Sequence, residues 1–206
     1  MMEKTKLAQS CWAELAHHTP SRISLDSIAQ ASEMTHDQAV LYGGSVTDLI
    51  IYQLDLLDTK SLATSSEDFA DDPDASIYEK ILEALMMRFE ALAPYRAQFN
   101  HLHDGAKHNP LLAMHCLHQL SHSVGKCLML AGDTSEGAIK QARILGVVGV
   151  LLRVRPVWSQ DEGADLGLTL KALDDELKKA CEWAVSLRVL SKDDVTGDKQ
   201  DGADHE

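Results

Sequence analysis

Six histidines crowd one stretch of this chain: His101, His103 and His108, then His115, His118 and His122. The last three fall at i, i+3 and i+7, which places them on one face of a helix. Neutral imidazole is the commonest metal ligand, so metal chemistry is the first reading to weigh. A zinc site needs three or four ligands converging at about 2 Å. His115 and His122 stand two turns apart, roughly 10 Å along a helix, too far to share one ion. That leaves only His115 and His118 with one upstream histidine, and the group is read as solvated or pocket-lining. No metal and no cofactor is assigned. No GxSxG, P-loop, GxGxxG in a βαβ setting or HExxH occurs, and the acidic pairs fall on solvent faces, so the chain is not read as an enzyme.

The four cysteines, Cys11, Cys116, Cys127 and Cys181, have no paired spacing and read as reduced, mostly buried small apolar residues. No apolar run approaches the roughly 20 residues needed to cross a bilayer. The first ten residues carry Glu3, Lys4 and Lys6 and no signal-peptide core, so the expected location is cytoplasmic. Net charge is −13, with 32 acids against 19 bases. A duplex binder shows a basic face, so any DNA reading must be argued locally.

Helical periodicity dominates and no convincing period-2 stretch occurs, which predicts an all-α fold. A first helix is expected over residues 4–17, ended by Thr19-Pro20-Ser21. Ser24 caps a short helix over 25–31, and Thr35-x-x-Gln38 is a capping box for a third, ended by Gly43-Gly44. Ser45-x-x-Asp48 caps a fourth, expected to run to about Thr59. Residues 61–74, rich in Ser, Asp and Thr with Pro73, read as a linker between an N-terminal module at 1–60 and a helical body at 75–190. In that body Pro94 punctuates an amphipathic helix, and a shorter helix follows to about His103. Asn109-Pro110 opens a helix to Ala131, and Asp133-x-x-Glu136 opens the next. The stretch 139–157 is apolar nearly all round, with Gly146 and Gly149 three apart, and reads as closely packed on several sides. A leucine seam follows over 166–190, and 191–206 reads as a disordered tail.

Ser24-Leu25-Asp26-Ser27-Ile28-Ala29-Gln30-Ala31, the turn Ser32-Glu33-Met34-Thr35, the helix His36 to Tyr42 and the start Ser45 to Ile50 resemble the helix-turn-helix of the TetR family of bacterial repressors. Trp158-x-x-Asp161-x-x-x-Asp165-x-x-x-Thr169-x-x-x-Leu173-Asp174 is similar to the end of many such regulators, and to a lipid-binding relative in ubiquinone biosynthesis that has lost DNA binding. A blander reading of Asp161 and Asp165 is that acids favour the positive end of a helix.

The resemblance implies a TetR-like regulator: a homodimer that binds operator DNA and responds to a small apolar or amphipathic ligand. The alternative it implies is a lipid or isoprenoid binder without DNA binding. It assigns Thr35, His36, Gln38, Tyr42 and Ser45 to DNA, with glutamine able to pair with adenine and threonine with a thymine methyl or a phosphate. It implies a ligand pocket walled by Met86, Phe89, Leu92, Phe99, Met114, His118 and Leu151. It implies a dimer interface on the last two helices through Val147, Val150, Leu166, Leu170, Leu173, Leu177 and Ala184. Three departures weigh against DNA: Val40 and Gly43 where the family has rings, and Val46 where it has a phosphate-contacting lysine. Over residues 1–60, Lys4, Lys6, Arg22 and Lys60 face eight acids, a local charge of −4.

Overall fold

Local capping chemistry sets most helix starts in the computed structural model, which describes residues 2–71 and 75–186. The described residues are mostly helical, with no strand among them. Two compact units form: residues 2–61 with 88–123, and residues 62–87 with 124–186, less the undescribed 72–74.

In the first unit, α1 (Met2–Leu15) buries Leu7, Ala8, Cys11, Trp12 and Leu15 on one stripe. α2 (Leu25–Ala31) starts where the Ser24 side chain accepts from the Ser27 amide at 3.1 Å. α3 (His36–Gly43) carries the complete capping box of Thr35 and Gln38. Ser45 and Asp48 cap α4 (Val46–Asp71) reciprocally, with the Ser45 amide 2.9 Å from the Asp48 carboxylate. Gly44, just after α3, has φ +76°, and a Cβ there would lie 2.8 Å from Asp48 Oδ2, so glycine is required. The rest of this unit comes from the end of α5 (Ile77–Leu92), α6 (Arg96–His108) and the first part of α7 (Pro110–Leu130), which Asn109 caps through the Leu112 amide at 3.1 Å. Trp12 holds them together, meeting Tyr95 and Phe99 edge-on at centroid distances of 6.0 and 5.6 Å. The buried Asp58 of α4 accepts from Arg88 Nε of α5 at 2.8 Å.

In the second unit, α8 (Gly137–Gln160) and α9 (Gly167–Ser186) pack along each other. Ile144, Val147, Val148, Val150, Leu151, Val154 and Trp158 of α8 are buried, as are Leu173 and Leu177 of α9.

The structure departs from the sequence expectations in four places. α4 continues as helix to Asp71, through most of the stretch read as a linker, and 72–74 lie outside the described residues. Polar residues propagate an existing helix at little cost, so a Ser- and Asp-rich composition does not by itself end one. Residues 88–123 belong to the same compact unit as the N-terminal helices. α6 reaches His108, beyond the expected end near His103. Asp133 does not cap α8, whose first helical residue is Gly137. Its carboxylate instead accepts from the Ser135 amide at 2.9 Å and from Arg143 at 2.6 Å. The expected tail at 191–206 lies outside the described residues.

Candidate functional site

Three regions hold the residues that the sequence singled out, and the second compact unit offers room for a ligand.

On α2 and α3, the side chains assigned to DNA are largely engaged in capping. Thr35 Oγ1 accepts from the Gln38 amide, and Gln38 Oε1 accepts from the Thr35 amide at 2.9 Å. A bidentate pair with adenine uses both the oxygen and the nitrogen of a glutamine amide. Gln38 would have to release its cap to make one. Ser45 Oγ donates to Asp48 at 2.7 Å, and His36 Nδ1 lies 2.7 Å from Asp26. Tyr42 is exposed beside exposed Val40 and Leu41, so the outer end of α3 is apolar. Gly43 does not leave α3 unbraced. Leu49 and Leu7 reach into the space where its Cβ would be, at 3.2 and 3.4 Å.

The histidines do not converge. His101 Nδ1 donates to the Leu15 carbonyl at 2.8 Å and His108 Nδ1 to the Asp104 carbonyl at 3.0 Å, while His115, His118 and His122 are exposed on α7. Among the described residues no three His, Cys, Asp or Glu come within reach of one ion. All four cysteines are free thiols; burial pushes Cys11 up to about 12 and Cys116 up to about 11.

The second unit contains a hollow of about 620 Å³, within the usual range for a small-molecule site. Ile77 and Ile81 of α5, Leu128 of α7, Val147 of α8 and Leu177 of α9 supply its apolar wall. Arg143 and Asp133 form a largely buried ion pair on that wall, and the Tyr78 hydroxyl donates to Asp174 at 2.8 Å. Burial, and then the bond to Asp174, push the Tyr78 hydroxyl above the ordinary phenol range. At the rim Glu176 accepts from Arg153 and, at 2.7 Å, from Lys179. Those bonds, the one from Lys179 first, hold its carboxyl below the usual range. The hollow therefore carries three cations (Arg143, Arg153, Lys179) and two anions (Asp133, Glu176) in a strongly acidic chain.

None of the seven residues expected to wall a pocket lines this hollow. Phe89, Leu92 and Phe99 belong to the first unit, with Phe89 and Leu92 buried and Phe99 against Trp12. Met114 and His118 are exposed on α7, and Met86 and Leu151 are core. The residues expected at a dimer seam are mostly buried within their own chain. Val147, Val150, Leu166, Leu173 and Leu177 are buried within their own chain, and Ala184 is half-buried. Of that set only Leu170 is exposed. The leucine seam of α9 is apolar because it packs inside the unit.

Sequence reasoning missed the hollow, although Gly146 and Gly149 were its signal. Their spacing in the sequence predicts close packing. A Cβ on Gly146 would meet nothing within 4 Å, and one on Gly149 only the flexible end of Arg153. Small residues mark a void here, not a tight crossing.

No protein-family model matches the chain, and no curated protein matches it. Among the described residues no helix is long and apolar enough to cross a membrane.

Proposed function

We propose that the chain is a homodimeric small-molecule-binding protein on a TetR-like frame, and that the hollow of α8 and α9 is its working site. The observation that carries this reading is the hollow itself, with its apolar wall and its small cationic excess at the polar end. That combination suits an amphiphile with an apolar body and one anionic head. The apolar wall supplies most of the affinity, and the few polar groups fix orientation. Arg143 is already paired with Asp133, so the head is better met at the rim, where Arg153 and Lys179 share the single carboxylate of Glu176.

A titration with cis-parinaric acid, a fluorescent long-chain fatty acid, tests it. Binding should saturate. Gly146→Trp should weaken it by about tenfold or more, since the ring occupies the apolar space the ligand needs. The same change should keep or raise stability, because glycine inside a helix costs about 1 kcal/mol relative to better formers. Unchanged parinaric binding in Gly146→Trp would place the site elsewhere.

The capped helix-turn-helix favours a second reading, a ligand-responsive DNA-binding regulator. Four cations against eight acids over residues 1–60 and the capping use of Thr35 and Gln38 make specific DNA affinity weak. Val46→Lys at the start of α4 should strengthen binding to any duplex several-fold without improving sequence choice, since phosphate contacts position and base contacts specify. Anisotropy titration with the DNA upstream of its own gene decides. Nanomolar, selective binding by the unmodified chain at about physiological salt would restore the regulator reading to first place.

A further inference from the structure

Two guanidiniums mark opposite ends of the hollow. Arg143 and Arg153 both line it from α8, ten positions apart, which is about 15 Å along a helix. The Arg153 side chain is 55% exposed and that of Arg143 only 18%, which puts Arg153 at the mouth and Arg143 inside. Between them α8 contributes Gly146, Val147 and Gly149 to the wall, so the stretch from one guanidinium to the other is apolar. The two ends offer different chemistry. At the mouth Arg153 and Lys179 share the carboxylate of Glu176, a net positive charge suited to an anion. At the inner end Asp133 cancels the charge of Arg143. That carboxylate is 3% exposed and already accepts from Arg143 at 2.6 Å and from the amide and hydroxyl of Ser135 at 2.9 Å. A second anion would lose its water there and gain no net charge in return. A guanidinium carries five N–H groups in a fixed fork, so pairing with one carboxylate does not use up its donors. A neutral oxygen can accept from it without opposing Asp133.

Resting on the amphiphile reading above, we infer that the hollow selects a long-chain acid with a second, uncharged oxygen near the far end of its chain. The carboxylate sits at the mouth on Arg153 and Lys179, and the far oxygen, a hydroxyl or carbonyl, accepts from Arg143. Chain length follows from the spacing. A residue of three backbone bonds spans at most about 3.3–3.6 Å, so an extended chain needs about a dozen bonds to cover that distance. Desolvation sets the discrimination. A wholly apolar hollow disfavours a hydroxyl at the chain end, because the hydroxyl loses its water for nothing. A hollow with a buried donor disfavours the plain acid, which covers the guanidinium without replacing its bonds to water.

Displacement of cis-parinaric acid by dodecanoate, ω-hydroxydodecanoate and dodecanedioate tests the assignment on the unmodified chain. The hydroxy acid should bind about tenfold more tightly than dodecanoate, although it is the less apolar of the two. It should also bind more tightly than the dicarboxylate. Shortening should remove the advantage: ω-hydroxyoctanoate should bind no better than octanoate, because its oxygen stops short of Arg143. Arg143→Lys keeps a positive charge beside Asp133 and replaces the fork with a single ammonium. It should abolish the tenfold preference, read as the ratio of the two affinities, and the wild-type series decides even where that variant is unstable. Dodecanoate bound as tightly as its hydroxy form by the wild-type chain, or an undiminished preference in folded Arg143→Lys, would overturn the assignment and leave the amphiphile reading standing. A wild-type chain that takes up no parinaric acid would overturn the amphiphile reading, and this assignment with it.

Discussion

Replacing Asp161 with alanine should cost about 3 kcal/mol and lower the melting temperature by about 10 °C. Asp161 ends α8 and is 3% exposed. Its Oδ2 accepts from both the amide and the hydroxyl of Thr169 at 2.8 Å, and its Oδ1 accepts from the Gly163 amide at 3.2 Å. Thr169 lies in the first turn of α9, whose leading amides have no partner within the helix. The residue before that helix is Leu166, with φ +48° and a side chain that can accept nothing. Asp161 therefore caps α9 from eight residues away. Its negative charge also sits at the positive end of the helix dipole. Alanine would leave a buried amide and a buried hydroxyl unsatisfied, and each such loss costs about 1–3 kcal/mol. Asparagine can keep the two bonds to Thr169 but must turn an amino group toward Gly163, so about half the loss should remain. Thermal unfolding followed by circular dichroism separates the two variants. A loss below about 1 kcal/mol for Asp161→Ala would show that α9 does not depend on this cap.

Arg88→Met should cost about 3–5 kcal/mol, because it leaves the Asp58 carboxylate buried without a counter-charge. The Asp58 side chain is 5% exposed and the Arg88 side chain 15%, so little water can take over the missing bond. Replacing both, Asp58→Leu with Arg88→Met, should recover most of the loss, since two apolar groups of similar volume remove the desolvation penalty altogether. Urea denaturation of both single variants and the double variant gives the coupling directly. Single variants whose losses simply add in the double variant would contradict the pair's role. The pair joins α4 to α5, within the unit that also holds α2 and α3. The same contact explains why a boundary drawn at residue 60 divides what folds together.

The sequence by itself determined the helix starts at Ser24, Thr35, Ser45 and Asn109 and the all-helical class. A cap is a bond between residues two or three apart, written in adjacent letters, and helical periodicity is equally local. It also showed which helix faces are apolar. What those faces meet was decided only by the tertiary structure. Leu173 and Leu177 are spaced as well for an intermolecular seam as for a core, and they became core because α9 lies along α8 of its own chain. Asp161 reads as an ordinary helix-start acid until the chain after it turns back to bring Thr169 onto its carboxylate. Gly146 and Gly149 fit a tight crossing or a cavity equally well, because the absence of a side chain says nothing about what stands opposite. Long-range geometry supplied that answer, since the hollow is walled by side chains from α5, α7, α8 and α9 that lie up to about a hundred positions apart.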